Sequence, residues 1–202
     1  QQAWDAAEPI YRQITELPFL RELAEGTLPA EKFHFYISQD SLYLDQYTRV
    51  LSHIASRLPD MADVETFLHF AVDGVEVEKA LHAGYQPDRS MGMSEACLFY
   101  TSLLRAQASA AVAVEAAALL PCFWVYQRVG EHILATAKLD GNRYANWITT
   151  YGDESFDIST RKAIALCDKL AAEASPEVRQ RMTEIFVQCT RMELLFWRTA
   201  YD

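Results

Sequence analysis

From Phe33 to Ile54 the apolar residues return every three or four positions. Phe33, Tyr36, Ile37, Leu44, Val50, Leu51 and Ile54 fall on one side of a wheel drawn at roughly 100° per residue. The same spacing recurs along nearly the whole chain, and no segment alternates long enough to make a strand. That periodicity restricts the 202 residues to an all-α fold. It predicts helices at about 3–16, 30–57, 61–83, 94–110, 112–136, 142–149, 154–174 and 176–200, with a shorter one over about 19–25.

The breaks between these segments have turn chemistry. Gly26-Thr27-Leu28-Pro29 precedes one helix, Arg57-Leu58-Pro59-Asp60 separates two, and Tyr85 to Met93 forms a loop containing Pro87 and Gly92. Asp153, after Gly152, is placed to cap the next helix. No repeat, low-complexity tract or long linker interrupts the pattern. Residues 1–202 are therefore expected to pack as one helical bundle, a single all-helical domain.

Eighteen Lys and Arg stand against 28 Asp and Glu, a net charge of −10, and no basic stretch could track a phosphate backbone. Nucleic acid is excluded as a partner on that ground. No uninterrupted apolar run approaches the roughly 20 residues that span a bilayer, so no membrane partner is expected. The opening QQAWDAAEPIY lacks the pattern of a signal peptide, and a cytoplasmic protein is the expectation. The missing initial Met and the end at Tyr201-Asp202 are read as trimming of one or both ends. Cys97, Cys122, Cys167 and Cys189 lie far apart with no CxxC pair, which supports neither a zinc site nor a redox motif. The ordinary role of each is a reduced, buried, small hydrophobe.

Three polar groups fall on the wrong face of their helices. Asp40 lies near the centre of the apolar arc of Phe33–Ile54, flanked by Tyr36, Tyr43 and Tyr47, whereas His34, Ser38, Ser41, Asp45, Arg49 and Ser52 take the opposite, solvated side. An ionised carboxylate there costs several kcal/mol unless it is paired or hydrogen-bonded. Glu193 repeats the anomaly, inside the arc of Met182, Ile185, Phe186, Cys189, Met192, Phe196 and Ala200, while Glu184, Gln188, Arg191 and Arg198 lie outside it. One buried acid is commonly a structural hydrogen-bonding group, but two on different helices of a small bundle point to a polar pocket.

The third group is Cys122, in ALLPCFWVY. It shares a face with Leu119, Tyr126, Val129 and Ile133, with Gln127 and Glu131 pointing away. Alone it reads as packing; beside carboxylates and tyrosines it becomes a candidate nucleophile. Pro121 cannot donate to the carbonyl of Ala117, a defect worth about 3 kcal/mol in a helix interior. It is expected to bend the helix so that Cys122 faces the pocket, although kinks also arise from packing alone.

Other constellations are weaker. Glu31-Lys32-Phe33-His34 is the single Glu-x-x-His match, so a paired-metal carboxylate site is disfavoured and no metal ligands are assigned. Glu78 and His82 read as a surface i, i+4 pair. No G-x-S-x-G, phosphate-binding glycine loop or dinucleotide fingerprint is present. Trp4, Trp124, Trp147 and Trp197 are explained by core packing.

Several spaced motifs in order resemble the thiaminase II (TenA) family of thiamin-salvage enzymes. They are Gln39-Asp40-Ser41-Leu42-Tyr43-Leu44, Ala118-Leu119-Leu120-Pro121-Cys122-Phe123-Trp124, Val129-Gly130-Glu131, Trp147-Ile148-Thr149-Thr150-Tyr151-Gly152, and Glu193 with Phe196-Trp197. The resemblance implies a heme-oxygenase-like helical fold without heme, usually a homotetramer. It implies hydrolysis of 4-amino-5-aminomethyl-2-methylpyrimidine to the hydroxymethylpyrimidine and ammonia, with thiamin cleavage as a related activity and no cofactor. By matching positions, Cys122 would be the nucleophile and Glu193 its acid/base partner. Asp40 and Tyr151 would hydrogen-bond the aminopyrimidine, Tyr43 and Tyr100 would orient Glu193 or the leaving group, and Tyr126 and Phe196 would line the pocket. Cys122 places the chain in the branch of the family that has the cysteine, while Leu42 stands where a relative carries an aromatic.

Two further functional classes compete with the hydrolase. A non-catalytic pyrimidine-binding or regulatory protein would keep the pocket, and the presence of both Cys122 and Glu193 argues against it. A related oxidase on the same fold would consume oxygen, and no feature of the sequence asks for one.

Overall fold

The computed structural model describes residues 1–202, apart from the side chains at positions 78, 81 and 82. The expected Glu78–His82 pair thus lies outside the described residues. Helices are α1 (Gln2–Thr15), α2 (Pro18–Glu25), α3 (Ala30–Ala55), α4 (Met61–Tyr85), α5 (Glu95–Ala106), α6 (Val112–Leu134), α7 (Ala145–Tyr151), α8 (Glu154–Glu173) and α9 (Pro176–Tyr201). Short 3₁₀ turns occupy Arg89–Met91 and Gln107–Ser109. Neither was expected from the periodicity, the second because it looks like a frayed end of α5.

The helix ends follow from local chemistry. Ser94, Asp153 and Ser175 each accept a hydrogen bond from a backbone N–H of the first turn they cap, at 3.2, 2.7 and 3.3 Å respectively. Those bonds satisfy donors that have no partner within the helix. Pro18 and Pro176 begin α2 and α9, where a missing N–H costs nothing. Gly26 ends α2 in the left-handed region, at φ 76°, a conformation that a side chain disfavours.

Helix α6 runs through the centre, packed against α9, α8 and α7, while α9 also meets α1, α5 and α3. Val112–Leu134 is long and apolar enough to cross a bilayer, but 72% of its most apolar window is buried inside the protein. That burial marks it as the core helix of the bundle. It continues through Pro121 unbroken.

A buried ion cluster fastens the start of α6 to the end of α3. Glu115, 1% exposed, accepts from His53 Nδ1 at 2.7 Å and pairs with Arg57, whose other nitrogen donates to the Ala110 carbonyl at 2.5 Å. Nothing in the pattern of α6 marks Glu115 as a buried group.

The wheel of α3 needs correction. His34, Arg49 and Ser52 are exposed and Asp45 is half-buried, but Ser38 and Ser41 are fully buried. The reason is the segment 86–94, which lies across this side of the helix. Ser38 Oγ accepts from Asp88 N at 2.8 Å, and the Gln39 side chain bridges Gly92 O and Ser94 N. Gln127 of α6 is likewise buried, not outward, because α8 covers it: its amide donates to Glu131 at 2.6 Å and Asp157 at 3.3 Å.

Candidate active site

Asp40, Tyr43 and Tyr47 recur at intervals of three and four on α3, so they project as one row; Cys122 and Tyr126 do the same on α6. Asp40 and Tyr47 of the first row and both residues of the second face a cavity of about 620 Å³, closed by α4, the end of α7 and the start of α8. Its wall includes Asp40, Tyr47, Cys122, Phe123, Tyr126 and Tyr151. Of the residues expected at a site, it therefore brings together Asp40, Cys122, Tyr126 and Tyr151.

Glu193, Tyr43, Tyr100 and Phe196 are buried one layer behind this wall. The Tyr100 hydroxyl donates to Glu193 Oε1 at 2.7 Å. The Tyr43 ring lies 4.8 Å from that of Tyr100, 5.6 Å from that of Tyr47 and 6.0 Å from that of Phe196. A chain of rings thus connects the α9 carboxyl with the cavity wall. The buried Tyr43 hydroxyl makes no hydrogen bond of good geometry within the described residues.

The electrostatics follow from burial among acids. Burial pushes the Glu193 carboxyl from 4.5 up to about 8; the Tyr100 hydrogen bond opposes this and the charge of Asp40 adds to it. At neutral pH Glu193 therefore holds a proton. Burial raises the Cys122 thiol well above its ordinary range as well; Glu193 and Asp40 add to the rise, and the Tyr43 and Tyr47 hydroxyls pull the other way. Among the described residues no Lys, Arg or His lines the cavity to favour a thiolate. Tyr126 is also raised, by burial first and then by Tyr36, whose hydroxyl lies 3.2 Å from its own.

Two glycines let the Tyr151 end of α7 approach α6. A Cβ on Gly130 would stand 2.6 Å from the carbonyl carbon of Tyr151 and closer still to its oxygen, and one on Gly152 would stand 2.8 Å from Leu134 Cδ2. The backbone of α7 can reach this position only because α6 has no side chain there. The rings of Tyr126 and Tyr151 are consequently 5.1 Å apart, and Phe156 meets Tyr151 edge-on at 5.4 Å.

Sequence reasoning noted Tyr47 as a neighbour of Asp40 but gave it no part in the site. The structure puts its hydroxyl 3.1 Å from the Leu119 carbonyl, one turn before Cys122. Phe123 and Phe156, which form apolar wall, were missed too, as were Asp73 and Glu76 of α4 and the cavity position of Asp153. No signal in the α4 pattern could have found its two acids. Among the described residues no group of three or more His, Cys, Asp or Glu is placed to hold a metal ion.

Residues 4–202 match the model of the TENA/THI-4/PQQC family. The chain is 34% identical to an aminopyrimidine aminohydrolase of Bacillus subtilis, over 91% of this chain and 81% of that protein. It is also 34% identical to the thiamine biosynthesis multifunctional protein ThiED of Corynebacterium efficiens, over 98% of this chain; it spans only 27% of the length of that relative. A solved TenA homologue from P. horikoshii OT3 superposes with a TM-score of 0.86 at 27% identity, covering 98% of this chain and 96% of the other.

Proposed function

Because the chain belongs to the TENA/THI-4/PQQC family and has its all-α, heme-oxygenase-like fold, we propose that it is a hydrolase of thiamin salvage. It converts 4-amino-5-aminomethyl-2-methylpyrimidine and water to the hydroxymethylpyrimidine and ammonia, and it cleaves thiamin as a related reaction. The observation that carries this reading is the convergence of Cys122, Asp40, Tyr126 and Tyr151 on one cavity, with the protonated Glu193 behind them. The name of the Bacillus subtilis relative supports the substrate class.

In this reading Asp40 and Tyr151 hold the aminopyrimidine by its ring nitrogen and exocyclic amine, and Tyr126 and Phe196 shape its slot. Cys122 attacks as a thiol: its sulfur bonds to an electron-poor ring carbon while its proton passes to the adjacent ring nitrogen. The adduct is no longer aromatic and drives its electron pair toward the exocyclic carbon–nitrogen bond. That bond breaks as Glu193 gives its proton to the departing amine, leaving an exocyclic methylene and a cationic ring. Water adds to the methylene and returns a proton to Glu193. The sulfur–carbon bond then breaks, the ring nitrogen returns its proton to sulfur, and aromaticity is restored. Tyr100 holds Glu193 in place throughout, and Tyr43 stands between Tyr100 and the thiol.

The protein acts in the cytoplasm as a homotetramer. Met61, Leu68 and Val72 on α4, and Leu98 and Phe99 on α5, leave large apolar side chains exposed, which supports burial against further copies.

The test is ammonia release from the aminomethylpyrimidine by the wild type and by Cys122→Ala. Turnover by the wild type and its loss in a folded variant are expected. Near-normal activity in Cys122→Ala refutes the nucleophile, and ligand binding without product in the wild type favours a non-catalytic role.

A further inference from the structure

Tyr47 stands beside Cys122 with two acceptors for one proton. Its ring is 5% exposed and packs against Tyr43, at 5.6 Å, and Phe123, at 6.1 Å. The ring is therefore fixed, and the movable part is the hydroxyl proton, which turns about the carbon–oxygen bond. It points to the Leu119 carbonyl, at 3.1 Å. A helical carbonyl is directed at the residue four positions on and passes the side chain three positions on. For Leu119 that side chain is Cys122, and Tyr47 and Cys122 line the same cavity. The Leu119 carbonyl does not depend on Tyr47, because α6 continues unbroken through this turn and an amide oxygen has two lone pairs. The hydroxyl can leave it for the sulfur at little cost.

The sulfur has few other donors. Among the described residues no Lys, Arg or His lines the cavity. Burial first, and then Glu193 and Asp40, oppose a charged sulfur, while the Tyr43 and Tyr47 hydroxyls favour one. Tyr43 lies behind the wall with Tyr100 and Glu193, whereas Tyr47 is part of the wall. Tyr47 keeps its own proton firmly: burial, followed by Cys122 and Glu193, pushes the phenol well above its ordinary range. It acts as a hydrogen-bond donor and not as an acid.

Building on the reading of Cys122 as nucleophile, we propose that Tyr47 is a further catalytic residue, whose hydroxyl turns from the Leu119 carbonyl to the Cys122 sulfur whenever that sulfur gains negative charge. This happens twice in a turnover. The first is as the sulfur gives its proton to the ring nitrogen and closes its bond to carbon. The second is as that bond breaks and before the proton returns. The phenol proton stays on oxygen at both stages, so the proton count of the reaction is unaltered. With the thiol restored, the hydroxyl returns to Leu119.

The experiment separates this role from that of a structural tie between α3 and α6. Tyr47→Phe keeps the ring and removes the hydroxyl. Alkylation by iodoacetamide at one pH, read at Cys122 by peptide mass spectrometry, reports the thiolate without any pyrimidine. Cys122 is half-buried, and Cys97, Cys167 and Cys189 are buried. The rate at Cys122 is expected to fall about 10-fold or more in Tyr47→Phe, the weight of one hydrogen bond to a charged group. With the aminomethylpyrimidine, kcat is expected to fall by a similar factor while KM stays near that of the wild type. A second variant with 3-fluorotyrosine in place of Tyr47 keeps the ring and the bond to Leu119 and donates more strongly, so its Cys122 is expected to alkylate faster than that of the wild type. If Tyr47→Phe does not fold, this second variant decides alone. Alkylation at the wild-type rate in the folded variants overturns the proposal even where turnover falls, because that is the result a structural tie gives. A wild type that alkylates at Cys122 but releases no ammonia overturns the pyrimidine reading instead, and the alkylation rates still decide whether Tyr47 acts on the sulfur.

Discussion

Replacing Glu193 with glutamine separates the stability of the site from its chemistry. The carboxyl is 2% exposed and titrates at about 8, against 4.5 in an unfolded chain. Between these values the unfolded chain has released the proton and the fold retains it, so the contribution of the neutral acid is complete below 4.5 and is lost as pH rises through 8. The slope is about 1.4 kcal/mol per pH unit and the full loss about 5 kcal/mol, of which roughly 3 kcal/mol has been lost by pH 7. Glutamine has the shape of the neutral acid, can accept from the Tyr100 hydroxyl, and does not titrate. Urea unfolding of both proteins from pH 5 to pH 8, at one protein concentration, is expected to show Glu193→Gln gaining on the wild type by that slope. The same variant should lose about 10²–10⁴-fold in turnover, because it has no proton to give. A stability difference that stays flat across this range refutes the raised carboxyl and the assignment of Glu193 as the resting acid.

Two other substitutions test how the site is held. Gly130→Ala sets a methyl group against the Tyr151 backbone and is expected to cost about 1–3 kcal/mol and to weaken pyrimidine binding. Gly84→Ala, whose Cβ meets nothing within 4 Å, is the control that thermal melting and calorimetry should find neutral or stabilising. Arg57→Ala leaves Glu115 buried with His53 alone and is expected to lose about 3 kcal/mol in urea unfolding; adding Glu115→Leu should recover most of it. A loss well under about 1 kcal/mol would show that the pair contributes no more than a surface ion pair.

The helices were legible because periodicity, capping residues and prolines agree locally: Asp153 caps α8 and Pro176 opens α9 where the pattern changes. Asp40 and Glu193 were legible for the converse reason, since each contradicts the pattern of its own helix. Ser38, Ser41 and Gln127 were misplaced because a wheel assumes one buried side, whereas segment 86–94 covers a second side of α3 and α8 covers one of α6. Asp73, Glu76 and Asp153 could not be assigned to the cavity from sequence. On their own segments they are ordinary exposed acids, and only the approach of α4 to the α7–α8 junction places them around one opening.

That placement bears on how a partly buried cysteine can react at all. A thiol is usually activated by a nearby cation that stabilises the thiolate. The described wall has none, and burial first, then Glu193 and Asp40, shift Cys122 the opposite way. Burial, with the charge of Asp40 adding to it, keeps Glu193 protonated, so the resting site holds both protons that the proposed reaction moves, one on sulfur and one on the carboxyl. Addition of an intact thiol across a ring carbon–nitrogen bond needs no preformed thiolate, because the ring nitrogen receives the proton as the sulfur–carbon bond forms. Activation then resides in the substrate, and the cysteine stays inert until a ring with an acceptor nitrogen occupies the cavity.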